Sequence, residues 1–179
     1  MAIWQYRLIL IPEEVLLNKY DVLPLAIPME LAKEFGWWLD RQPPVDFEQQ
    51  IDSILLQMDS WSTQMRMWGQ KHGNDAYVCY VDESKNKVEQ IAFRVDASAI
   101  SRDLVRQICR LASQLRCVLM TPQYEILVPD ESMVLTAIDG STARRFIDDP
   151  ESTLRSMDCK KIEEQANYLT RNWRKNPPK

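Results

Sequence analysis

The chain carries one imidazole, His72, inside Lys71-His72-Gly73-Asn74-Asp75, a run with the composition of a turn. A histidine acts as general base when an acid orients it and a nucleophile or substrate lies within hydrogen-bond reach. Of these the sequence supplies only the nearby Asp75, so His72 reads as a solvated turn residue and no triad is expected. Glu83-Ser84-Lys85 has the acid-x-Lys spacing of one class of metal-dependent nucleases, but it falls in a polar loop rather than on a strand beside a second carboxylate. Asp148-Asp149 and Glu163-Glu164 are neighbours on helices, where adjacent side chains do not face one another, so they imply no paired acid and base. The four cysteines, Cys79, Cys109, Cys117 and Cys159, show no Cys-x-x-Cys spacing and read as free thiols. A zinc site would need ligands from scattered segments, and no metal is expected. Only four glycines are present, Gly36, Gly69, Gly73 and Gly140, and they never cluster. Phosphate-cradling loops need closely spaced glycines, so nucleotide motifs of the P-loop or Rossmann kind are absent and no cofactor is expected.

Two further groups suit recognition better than catalysis. Arg102, Arg106 and Arg110 lie four residues apart on one helix face, a stripe that could grip phosphate or carboxylates but is more simply a solvated face. Trp37, Trp38, Trp61 and Trp68 fall within one short segment beside Pro43 and Pro44. Consecutive tryptophans just after a helix cannot easily both point inward, so at least one of Trp37 and Trp38 is expected at the surface. Exposed tryptophan is enriched among interface hot spots. Asp40, Asp46, Glu48 and Asp52 set these rings in an acidic field.

These residues must be positioned by an α+β fold. Period-two alternation in residues 3–11 predicts a first strand, halted near Pro12. Prolines 24, 28, 43 and 44 keep any helices that follow short, and Pro28 suits the start of one that Gly36 would end. Asp46 offers an N-cap to an apolar stripe of Phe47, Ile51, Ile54, Leu55 and Met58, predicting a helix over 46–58. Met65–Gly69, Ala76–Asp82 and Val88–Asp96 read as three strands joined by short polar loops, an antiparallel meander. In the third, Gln90, Ala92 and Arg94 make one face half polar, as when helices cover one side of a sheet. Ser101 caps a helix buried through Leu104, Ile108, Leu111, Ala112 and Leu115. Residues 117–120 and 125–128 read as a final hairpin. Asp130, Ser141 and Asp149-Pro150-Glu151 each start a further helix, and Ile162, Ala166, Leu169 and Trp173 mark a last amphipathic one. The fold class is thus α+β, a mainly antiparallel sheet with helices packed on one face and a helical C-terminal segment. Residues 1–175 form a single domain and 176–179 a frayed tail.

The composition fits an ordinary globular chain of 179 residues, 45% hydrophobic and 27% charged. The longest apolar run, Ile3 to Ile11, is interrupted by Gln5 and Arg7 and is far too short to span a bilayer. Residues 1–7 lack a signal-peptide pattern, so a cytoplasmic location is expected and no membrane partner. The net charge of −4 is unevenly spread: residues 1–100 hold 9 Lys/Arg against 15 Asp/Glu, and residues 101–179 hold 13 against 11. An acidic N-terminal half disfavours nucleic acid, whose phosphates need clustered cations, and suits a basic protein partner.

Three stretches resemble a family: Met65-Arg66-Met67-Trp68-Gly69 leading to Gly73-Asn74-Asp75, Ile91-Ala92-Phe93-Arg94-Val95-Asp96, and residues 141–150, Ser-Thr-Ala-Arg-Arg-Phe-Ile-Asp-Asp-Pro. Together they look like small bacterial α+β proteins encoded beside polymorphic toxins as immunity proteins. The resemblance covers residues 65–157, and it carries no catalytic residues. The resemblance implies an immunity protein; the absence of assembled chemistry, the acidic N-terminal half and the tryptophan-rich segment point to a non-enzymatic protein-binding module that neutralises a toxin by covering a basic active site, with Trp37, Trp38, Asp40 and Glu83 as the first candidates for partner contact. The alternatives are an enzyme whose site assembles from distant residues around His72, and a structural or assembly subunit.

Overall fold

The computed structural model describes residues 4–32, 36–69 and 73–156. Its centre is one antiparallel seven-stranded sheet, ordered β2-β3-β4-β5-β1-β6-β7. The strands are β1 (Gln5–Pro12), β2 (Gln57–Met58), β3 (Met65–Gly69), β4 (Asp75–Tyr80), β5 (Val88–Asp96), β6 (Cys117–Met120) and β7 (Ile126–Leu127). The helices are α1 (Glu13–Tyr20), α2 (Met29–Ala32), α3 (Phe47–Asp52), α4 (Arg102–Gln114), α5 (Glu131–Asp139) and α6 (Thr142–Asp148), with further helix at 150–156. The α+β class and the meander expected from the sequence are both present.

β1 lies between β5 and β6, pairing Leu8 with Phe93 and Leu10 with both Ile91 and Leu119. Its run Leu8-Ile9-Leu10-Ile11 is buried throughout, as a central strand covered on both faces requires. Side-chain alternation sorts the sheet into two faces. One collects Tyr6, Leu8, Leu10, Ile91, Phe93, Val95, Ala76, Val78, Trp68 and Leu119, all buried. Helix α3 is tied to this face: the Trp68 indole N–H donates to Asp52 Oδ1 at 2.6 Å, and Arg66 and the Tyr80 hydroxyl both bond the Glu48 carboxylate. Helix α4 lies alongside α3 and buries Leu104, Val105, Ile108, Leu111 and Ala112. Its cap is as expected, with the Leu104 N–H donating to Ser101 Oγ at 3.2 Å.

Other expectations need correction. The helix expected over 46–58 stops at Asp52, and Asp46 precedes it without a side-chain cap bond. Beyond the turn at Ser53 the chain becomes extended, and Leu56 O accepts the Gly69 N–H at 2.7 Å so that β2 can join β3. Sheet pairing wins there over the helical apolar spacing. The first strand does halt at Pro12, as expected. Pro12 closes β1 and leads directly into α1, whose first turn carries Glu13 and Glu14 on the dipole-favoured side and which ends on Asp21 at φ 62°. The last helix expected through Ile162 and Trp173, the tail at 176–179 and His72 lie outside the described residues.

The second sheet face is mixed, with Ile9, Ile11, Met67, Ala92 and Val118 buried beside polar residues, and its polar part does not face open water. Gln5, Asp75 and Gln90 are buried there, and Arg94 is largely covered. Polar alternation in β5 marks a satisfied buried network rather than a solvated side.

Candidate functional site

That network forms around a like-charge clash. Arg7 on β1 stands directly opposite Arg94 on β5, an unfavourable cross-strand pair, and Asp75 stands on the other flank of Arg94. Arg94 Nε donates to Asp75 Oδ1 at 2.6 Å, and its guanidinium lies 5.5 Å from the centre of the Tyr77 ring. Gln5 Nε2 donates to Gly73 O at 2.9 Å and to Asp75 Oδ2 at 3.4 Å, while Gln90 Nε2 donates to the Tyr77 hydroxyl at 3.2 Å. Burial raises the Asp75 carboxyl above the usual carboxylate range despite its bonds to Arg94 and Gln5. Burial raises the Tyr77 phenol too, against the opposing pull of Arg7. Gly69 makes the approach possible. At φ 112° it runs so close to the following strand that a Cβ would sit 2.6 Å from the Asp75 Cα. Both Asp75 oxygens are engaged by this network, so the acid nearest His72 in sequence serves the fold as an acceptor.

A cleft of about 560 Å³ separates α3 from α4, lined by Asp46, Gln50, Gln107, Arg110 and Gln114. The arginine stripe divides its duties: Arg106 pairs with Glu131 on α5 at 2.9 Å, Arg110 lines the cleft, and Arg102 is exposed. Glu83-Ser84-Lys85 lies in the β4–β5 hairpin loop, where the Ser84 N–H donates to Asp82 Oδ1 at 2.9 Å and Lys85 adopts φ 56°. Its geometry is that of a turn. Among the described residues, no three His, Cys, Asp or Glu side chains converge as a metal would require, and no helix is long and apolar enough to cross a membrane.

The tryptophans are distributed otherwise than expected. Trp37 is 6% exposed and Trp38 1%, so neither presents its ring at the surface. Gly36, at φ 118°, starts an irregular segment in which consecutive side chains escape both the helical and the strand alternation. Trp38 is then held by an indole N–H donating to Leu10 O at 3.0 Å and by its own N–H donating to Glu89 O at 3.4 Å. Gln42 completes the attachment, giving its Nε2 to Val88 O at 3.0 Å and accepting the Val88 N–H at 2.7 Å. The ring at the surface is Trp61, 77% exposed on the β2–β3 connection.

Around Trp61 the chain builds a recess of about 320 Å³ lined by Ser62, Gln64, Met65, Cys79, Tyr80 and Glu89. Met65 and Cys79 pair across β3 and β4, and a register shift after Cys79 brings Tyr80 and Glu89 to the same rim. Burial, and then the charge of Glu89, raise the Cys79 thiol to about 11. The Thr63 hydroxyl donates to Glu83 Oε1 at 2.8 Å, which seats Glu83 against the Trp61 loop. Of the four residues expected at a partner surface, Glu83 thus joins an exposed tryptophan, Asp40 is exposed on the Trp38 segment, and Trp37 and Trp38 are interior. Glu89 and Met65 were not legible as surface partners. Trp61 carried a signal in its neighbours Asp59, Ser60, Ser62 and Thr63, whose types suit a turn rather than a core element.

No family model, curated protein or solved structure matches the chain.

Proposed function

We propose that the chain is a non-enzymatic protein-binding module, an immunity-type protein that covers the basic active site of a cognate toxin, and that Trp61 is the anchor of its contact surface. The carrying observation is the exposed Trp61 ring set beside Glu83 and Glu89. A large aromatic at a concave rim is the side chain that contributes most per residue to an interface, because it removes much apolar area from water at little rotamer cost. Surrounding carboxylates steer a basic partner in and set its register. The acidic balance of residues 1–100 extends that field beyond the recess.

The test is a binding titration of the purified chain with the product of the reading frame adjacent to its own. Trp61→Ala is expected to weaken binding at least about tenfold, the effect of losing a hot spot. Equal affinity for the two proteins, or no binding by the wild type, would remove the main support for this reading.

A further inference from the structure

Glu89 is half-buried, and among the described residues it has no ion-pair partner. It lines the recess together with the exposed Trp61 and with Met65 and Cys79 of the paired strands β3 and β4. A partly desolvated, uncompensated carboxylate beside an open aromatic face is a receptor for a cation. The ring quadrupole attracts positive charge over its face, the carboxylate pairs with it, and the apolar wall takes the stem that carries it. The wider rim has the same sign: Asp59, Asp82 and Glu83 stand on the loops bordering the recess, against Lys85 and Lys87 of the β4–β5 loop. Arg66, the nearest arginine on β3, is engaged by Glu48 on the other face of the sheet.

We propose that the recess seats the guanidinium of an arginine presented by the protein partner, stacked on Trp61 and paired with Glu89. This rests on the protein-binding reading and deepens it by naming the group recognised. Arginine suits the site better than lysine. Its planar fork can lie flat on an indole while its edge donates two parallel bonds to a carboxylate, and it is more weakly hydrated than an ammonium. Ser62 and Gln64 supply oxygen acceptors at the rim for the remaining N–H groups.

The experiment titrates the full chain, labelled with ¹⁵N, with acetyl-Gly-Arg-Gly-amide and with its citrulline and lysine counterparts, following the indole N–H resonances. Trp61 is assigned by its disappearance in Trp61→Phe. The arginine peptide is expected to shift the Trp61 resonance saturably in a millimolar range, with citrulline at least about tenfold weaker and lysine intermediate. Glu89→Gln should reduce the arginine affinity to that of citrulline while leaving the rest of the spectrum in place. Equal responses to arginine and citrulline, or a response unchanged in Glu89→Gln, would overturn the cation seat. If no peptide moves Trp61 yet Trp61→Ala still abolishes partner binding, the arginine assignment fails and the protein-binding reading stands. If the arginine peptide binds but Trp61→Ala leaves partner binding unchanged, the interface reading falls and takes with it the assignment to a partner's arginine.

Discussion

At the scale of single residues, Trp38 and Trp61 sit in opposite environments, and substitution separates them. Trp38 is enclosed and hydrogen-bonded to β1, so Trp38→Ala leaves a cavity and removes the indole's bond to the Leu10 carbonyl. A loss of about 3–5 kcal/mol in denaturant unfolding is expected. Trp61 stands mostly in water, and Trp61→Ala should change stability by no more than about 0.5 kcal/mol. A large loss there would mean that the ring belongs to the core. Asp75 offers a second test. Burial penalises its charge and raises its carboxyl above the ordinary value of 3.8 in the folded chain, so the folded state holds that proton more tightly than the unfolded one. The contribution is therefore complete below pH 3.8 and is lost as pH rises through the raised folded value. Measured against Asp75→Asn, which cannot titrate there, the wild type's relative stability should fall between acid and neutral pH; a rise would contradict the cause assigned. The sequence placed Asp75 beside His72 but could not show Gln5 and Arg94 taking both its oxygens, because those partners lie 70 and 19 residues away along the chain.

Elements were legible where local and tertiary preferences agree. Ser101 and the apolar stripe of α4 point to the same helix, and its start follows from the cap. Ser101→Ala should cost about 1 kcal/mol, read as a shift in the denaturation midpoint, through loss of the bond from the Leu104 N–H. Met65–Gly69 and Val88–Asp96 were equally readable, since polar loops bracket alternating runs. Residues 53–58 were not. Ile54, Leu55 and Met58 keep helical spacing with Ile51, yet the open edge of β3 recruits residues 57 and 58 into the sheet. The juxtaposition of Trp61 with Glu89 was hidden for a similar reason, as it depends on the register shift after Cys79. Between α4 and β6, Cys109 and Cys117 are buried, and burial raises their thiols to about 11 and about 12. Both should resist alkylation at neutral pH in the folded chain and react on unfolding. Because an unfolded thiol titrates near 9.0, their contribution to stability is present below that pH and is lost as pH rises through the folded values. Rapid alkylation of the native chain at neutral pH would contradict that burial.

For the whole molecule, the sheet works as a platform with unlike faces. One face is apolar and carries α3 and α4; the other holds the Gln5–Asp75–Arg94–Tyr77 network, with the Trp61 recess reached from β3 and β4. Where the recess is built, Met65 and Cys79 are paired strand residues and Glu83 is bound to the Trp61 loop. A preformed site of this kind loses little entropy on binding, and its carboxylates should act mostly on the rate of encounter. The most direct measurement is calorimetric titration of the wild type, Trp61→Ala and Glu83→Gln with the protein encoded beside this chain. With Trp61 as the anchor of a protein interface, binding is expected to weaken at least about tenfold in Trp61→Ala and to lose part of its salt dependence in Glu83→Gln. Wild-type binding that neither substitution alters would contradict that role.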